Sequence, residues 1–259
     1  MATTDEISTR AVTMEEEVRR VIDAGRDRGI HLRVIGGTAV KLHCPSAAHR
    51  SMARIYGDID MVGYRKQRLE VARLIEDLGY QPNRRFNALQ GHRRLLFDNA
   101  TLGYDLDVFL DVFVMCHELS LVGRLELDDY SVPIEELLLS KLQVVLLNEK
   151  DVKDGYALLF DHDIAEGEDR ETIDPRFIAK LCGDDWGWYK TLTLNIDKLL
   201  ALADDYLEDK EKAVCVERLH RLRQVIEEAP KSMKWKLRAK VGEKKRWYEL
   251  PEDVVTHQY

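Results

Sequence analysis

Apolar positions along this chain change period several times, and each change predicts an element. Residues 11–29 place Val18, Val21, Ile22 and Ala24 on one side of a helix. "HLRVIGG" reads as a short strand ending in glycines, and "TAVKLHCP" as a short helix stopped by Pro45. "RIYGDIDMVGY" is a second strand. "RKQRLEVARLIEDLGY" repeats Leu69, Ala72, Ile75 and Leu78 at helical spacing and ends at Gly79. "RRFNALQ", "HRRLLFDN" and "YDLDVFLDVFVM" read as strands joined by short turns. "VPIEELLLSKLQVVLLN" is a long apolar helix with Pro133 in its first turn, and "DVKDGYALLFDHDI" is a further helix.

A loop rich in acids and glycine, "AEGEDRETID", then divides the chain. Beyond it the pattern is helical: "DPRFIAKLC" with an Asp N-cap and Pro at the first helical position, "NIDKLLALADDYL" and "KAVCVERLHRLRQVIEEAP". The expected organisation is an α/β unit over residues 1–165, a mixed sheet with flanking helices, followed by a mostly helical region over residues 166–259. No internal repeat or low-complexity segment interrupts it.

Composition adds bounds. The 259 residues have room for one generous domain or two smaller ones, and 45% apolar with 33% charged residues is the balance of a water-soluble globular protein. No apolar run nears the roughly 20 residues that cross a bilayer, so no membrane partner is expected. "MATTDEISTR" has neither the basic nor the apolar part of a secretory signal. Cys44, Cys116, Cys182 and Cys215 lie far apart with no C-x-x-C pair, so the chain reads as cytoplasmic with reduced thiols. No two histidines have H-x-x-x-H or H-E-x-x-H spacing, which argues against a histidine metal site.

Charge is unevenly spread. "KSMKWKLRAKVGEKKRWYEL", residues 231–250, carries eight Lys/Arg against two Glu, a net +6 in a chain of net −8, so the rest sums to −14. With Trp235, Trp247 and Tyr248 interleaved, this tail suits either a polyanion or a terminal helix plus strand whose aromatics anchor it on the core. The cluster Trp186, Trp188 and Tyr189 poses the same choice between stacking a base and sealing a helical core.

The candidate chemistry lies in the first half. Asp is a poor strand former, yet "YGDIDMVGY" places Asp58 and Asp60 on one face of a strand, where like charges repel and something must compensate them. Oxygen ligands suit Mg2+ (or Mn2+), which takes one or two carboxylates together with substrate phosphates. "YDLDVFLDVF" offers Asp105, Asp107 and Asp111 at odd positions as a third carboxylate. Ahead of them, Gly36 and Gly37 open a helix at Thr38, where a phosphate can approach the backbone and meet the helix N–H groups. Arg84, Arg85, Arg93 and Arg94 flank the central strands and suit either phosphate or water.

The order strand, Gly-Gly-Thr, helix, Gly-Asp-Ile-Asp, then a later strand Asp resembles the nucleotidyltransferase superfamily with the DNA polymerase beta-like fold, over roughly residues 30–165. "LLLSKLQVVLLNEKDVKDGYALL" is similar to the helical pattern of abortive-infection-type nucleotidyltransferase-like proteins. The resemblance implies metal ligands and catalytic acids at Asp58, Asp60 and Asp107, with Asp111 as the rival for the third position. It implies nucleotide contacts from Gly36, Gly37 and Thr38, with Lys141 and Lys153 at basic positions that meet a triphosphate. Thr38 stands where the family commonly has serine, and the 21 residues from Gly37 to Asp58 are a longer spacing than in the smallest members. The implied reaction moves a nucleoside monophosphate from an NTP to an acceptor hydroxyl on a small molecule, a protein or an RNA end. The alternative is a catalytically inactive nucleotidyltransferase-like protein that binds a nucleotide or a partner.

Overall fold

The computed structural model describes residues 13–167 and 169–250; the first two residues of the helix expected from residue 11 lie outside them. Helix α1 (Met14–Asp27) opens on a reciprocal cap in which Thr13 accepts from the Glu16 N–H while the Glu16 carboxylate accepts from the Thr13 N–H. Its buried stripe, including Val18, Val21 and Ile22, lies against the sheet. Strand β1 (Leu32–Ile35) is buried throughout and runs straight into α2 (Gly36–His43). The glycines are therefore the first turn of α2, not the end of β1.

Five strands form a mixed sheet in the order β1, β2 (Asp58–Gly63), β5 (Tyr104–Leu110), β4 (Arg94–Asn99), β3 (Gln81–Pro82). β2 and β5 are parallel; every other neighbouring pair is antiparallel. The central pair is apolar wherever it meets the core, with Ile59, Met61, Leu106 and Val108 fully buried. Pro82, which has no N–H to give a ladder, sits in the two-residue edge strand. A small hairpin of β6 (Val112–Val114) and β7 (Glu118–Ser120) follows β5.

Four expectations are corrected here. "RRFNALQ" is a helix, α4 (Arg84–Gln90), not a strand. Asn83 caps it by accepting from the Phe86 N–H at 3.1 Å, and the Asn87 amide pairs with both backbone groups of Leu96, which ties the helix to β4. "YDLDVFLDVFVM" is two strands, because Asp111 has a positive φ of 67° and turns the chain between β5 and β6. The helix after Tyr64 is a 3-10 turn followed by α3 (Arg68–Asp77), which buries Val71, Leu74 and Ile75 and leaves Leu69 57% exposed. The long helix expected from Val132 ends early as α5 (Ile134–Leu142), with Pro133 as its cap rather than in its first turn.

That early end has a tertiary cause. The carbonyls of Leu142 and Val144 accept from the Asn195 amide at 2.8 and 2.9 Å, so a distant side chain satisfies groups that a longer helix would have paired. Asn195 belongs to α8 (Trp186–Tyr206), which with α6 (Glu149–Asp161), α7 (Pro175–Asp184) and α9 (Asp209–Glu228) makes the helical part. Their buried residues join those of the sheet in one apolar cluster running from Met14 to Ile226. The expected boundary near residue 165 falls beside a single bridge between Ile164 and Ile173.

The tail is helix α10 (Met233–Val241) and a 3-10 turn, then irregular chain to Leu250; among the described residues it has no strand, contrary to the helix-plus-strand expectation. Its aromatics are docked. Trp247 meets Trp186 edge-on at 6.0 Å and donates to Thr191 Oγ1 at 3.0 Å, while Trp235 meets Tyr189 at 5.1 Å.

Candidate active site

In the register of β2 and β5, Asp58 stands opposite Asp105 and Asp60 opposite Asp107. Parallel pairing thus brings four carboxylates to one patch of the sheet, where they form the acidic wall of a cavity of about 620 Å³. Asp111 lies off that patch beyond the turn, accepting from the Arg65 N–H at 3.0 Å, so of the rivals Asp107 and Asp111 it is Asp107 that the fold sets beside Asp60.

Three carboxylates this close disturb one another. Burial first, then the charges of Asp58 and Asp107, push the Asp60 carboxyl up to about 7. Asp60 also leans over the start of α2: a Cβ on Gly36 would stand 2.6 Å from Asp60 Oδ2, and Gly36 has a positive φ of 74°. Glycine is required there on both counts. The first turn of α2 has no side-chain cap, so its N–H groups stand beside the acid pair without a side-chain acceptor.

The other residues expected at the phosphates separate. Thr38 is buried and donates its hydroxyl to the Asp58 carbonyl at 2.9 Å, fixing the start of β2. Gly37 faces away from the cavity, toward Arg54 and Tyr56. Lys141 reaches the cavity wall, with its ammonium 2.9 Å from Asp154 and 4.0 Å from Asp151. Lys153 instead donates to the Ala53 carbonyl at 3.2 Å and pairs with Glu149 at 2.8 Å, and it is not part of the cavity wall.

Three functional features escaped the sequence reading. Arg94 donates through Nε and Nη2 to both oxygens of Asp107. Arg54 donates Nε and Nη2 to the two oxygens of buried Asp154, each at 2.6 Å, and rests 3.9 Å from the Tyr56 ring centre. Tyr248, Glu249 and Leu250 of the basic tail also line the cavity, held by the Glu249 N–H donating to the Cys116 carbonyl at 3.0 Å. The arginine pair at the start of β4 was visible, but nothing local says that Arg94 turns inward while Arg93 pairs with Glu118 at the surface. Arg54 and Asp154 are a hundred residues apart, with no pattern linking them.

Do these residues fit the divalent cation that the resemblance implies? Asp58 and Asp60 do: Mg2+ takes one or two carboxylates and completes its shell with phosphates and water, and both acids line the cavity beside Gly36 at the start of α2. Asp107 is already neutralised by Arg94. Among the described residues no three His, Cys, Asp or Glu side chains form a ready-made metal cluster.

No protein-family model matches the chain, and no curated protein matches it. Several solved structures are similar to it, two of them as follows. One is the solution structure of the antibiotic-resistance factor ANT(2'')-Ia, at 14% identity and a TM-score of 0.39, covering 57% of this chain and 84% of that one. The other is the crystal structure of the lincosamide antibiotic adenylyltransferase LnuA with lincomycin bound, at 16% identity and a TM-score of 0.41, covering 57% of this chain and 98% of that one. Among the described residues no helix is long and apolar enough to cross a membrane.

Proposed function

We propose that this chain is a metal-dependent nucleotidyltransferase that moves a nucleoside monophosphate from an NTP to an acceptor hydroxyl and releases pyrophosphate. The observation that carries the reading is the register of β2 on β5, which gathers Asp58, Asp60 and Asp107 beside the glycine-opened start of α2. Asp58 and Asp60 hold Mg2+ or Mn2+, which when bound neutralises the triphosphate and the charge growing on the departing pyrophosphate. The uncapped first turn of α2 points its N–H groups at the phosphates, and Lys141 adds a positive charge from the cavity wall. Phe109, Leu110, Phe113 and Tyr248 give the same cavity an apolar lining that suits the acceptor.

A cavity of this size, lined in part by the docked tail, favours a small-molecule acceptor over a protein or an RNA end. All four cysteines are free and buried, which supports a reducing, cytoplasmic setting. The reading of a nucleotide- or partner-binding protein without catalysis is favoured by one observation, the capture of Asp107 by Arg94.

The test is to incubate the protein with each NTP, labelled at the α-phosphate, and Mg2+, with small-molecule, protein and RNA acceptors in separate arms. Pyrophosphate release with label on one acceptor class is the expected result. Tight Mg2+-NTP binding with no release in any arm supports the non-catalytic reading, and absence of both binding and release overturns the proposal.

A further inference from the structure

Arg94 and Asp107 are neighbours by construction. In the antiparallel ladder of β4 and β5, Leu96 stands opposite Asp107 and Arg94 opposite Phe109, so Arg94 lies two residues along on the same face as the acid. The guanidinium is held from other directions as well. It lies 4.8 Å from the ring centre of Phe109 and 5.8 Å from that of Phe86. The pair is also largely withdrawn from water, with the Asp107 side chain 10% and the Arg94 side chain 27% exposed. A planar guanidinium forked onto a carboxylate is a permanent, geometrically fixed positive charge.

Resting on the function proposed above, we infer that Arg94 takes the place of a second divalent cation at Asp107, so that the active site holds one divalent ion, on Asp58 and Asp60, beside a fixed guanidinium. Two features lead there. A divalent ion at Asp107 would have to displace a clamped, partly buried ion pair, or else sit against the guanidinium charge. Among the described residues no arginine is forked onto Asp58 or Asp60 as Arg94 is onto Asp107. The arginine therefore decides which carboxylates stay open to a metal. It also alters what the site offers the acceptor, because a guanidinium stabilises negative charge without acidifying a bound hydroxyl as a divalent ion does.

The experiment is to count Mn2+ in the complex of the full chain with a non-hydrolysable triphosphate analogue, by native mass spectrometry, with electron paramagnetic resonance to detect coupling between paired ions. The wild-type complex is expected to carry one Mn2+ and no coupling signal, and Arg94→Leu to carry two. Asp107→Asn guards against a misfolded Arg94 variant: it is expected to keep its single Mn2+. Two coupled ions in the wild type, a single ion in a folded Arg94→Leu, or loss of the ion in Asp107→Asn each overturns the inference. A wild-type protein that binds neither Mn2+ nor the analogue instead removes the nucleotidyltransferase reading on which the inference stands.

Discussion

Gly37 and Arg54 occupy one space: a Cβ on Gly37 would overlap Arg54 Nη2, the same nitrogen that donates to Asp154. The second glycine of the pair thus makes way for an arginine, whereas the first makes way for Asp60. Gly37→Val is expected to displace the guanidinium and cost about 1–3 kcal/mol in urea unfolding, the usual range for overpacking. Its affinities for triphosphate and for nucleoside should fall in the same proportion. A selective loss of triphosphate binding at unchanged stability would show instead that Gly37 itself faces the phosphates.

Gly36→Ala tests the other half of the pair. A left-handed backbone costs a side-chain-bearing residue about 1–2 kcal/mol, and the new Cβ also meets Asp60 Oδ2. The expected outcome is both a lower midpoint in urea and weaker Mg2+-dependent nucleotide binding, since the carboxylate must move. Unaltered metal dependence, read by titration calorimetry, would separate Gly36 from the site.

Asp154 accepts from Arg54 and faces Lys141, and its side chain is 1% exposed. Asp154→Ala leaves two partly buried cations without their shared partner, and removing one member of a buried ion pair typically costs about 3–5 kcal/mol. Equilibrium unfolding in urea is the measurement, and a loss below about 1 kcal/mol would mean that the pair is solvated in solution.

Asp60 links the site to pH. Its folded pKa of about 7 stands above the ordinary 3.8, so between these values the folded protein holds a proton that the unfolded chain has released. Without metal, stability must therefore fall as pH rises from about 4 to about 7 and show no further change from this group above that. Asp60→Asn should flatten the slope and raise the melting temperature at neutral pH. The wild type's affinity for Mg2+-NTP should rise through pH 7 as the carboxylate ionises, and Asp60→Asn should lose that affinity. A wild-type melting curve that rises from pH 5 to 7 as steeply as that of Asp60→Asn would refute the assignment.

Truncation after Pro230 removes α10 and the cavity wall at Tyr248–Leu250 together. The docking of Trp235 and Trp247 predicts a lower melting temperature and a red-shifted tryptophan emission as Trp186 and Trp188 meet water. Trp247→Ala alone should cost about 1–3 kcal/mol, less than the 3–5 of a fully buried tryptophan, because this ring is half-buried. A truncated chain of unchanged stability that loses salt-dependent RNA binding would reassign the tail to a polyanion.

Sequence patterns reached the fold wherever the chain is locally consistent. The alternation in β2, the glycines entering α2 and the Asp174 cap on α7 each name their element without help from elsewhere. The failures have physical causes. "RRFNALQ" alternates like a strand but is held as a helix by Asn83 and Asn87, and "VPIEELLLSKLQVVLLN" is periodic to its end yet is cut short by the Asn195 amide. In the first a neighbouring cap and a tie to the next strand outweighed the period, and in the second a side chain from a distant helix did.

By itself the sequence determined the two acids on one strand face, the glycine-opened helix before them and the helical character of the second half, because side-chain period and backbone freedom are local properties. Only the tertiary structure decided which acid stands beside Asp60, through the parallel register that sets Asp107 rather than Asp111 opposite it. It also decided that Lys141 reaches the cavity while Lys153 does not, that Arg94 holds Asp107, and that the tail lines the cavity. Those outcomes depend on which strands pair and which helices pack, and contacts between residues far apart in the chain leave no periodic trace in it.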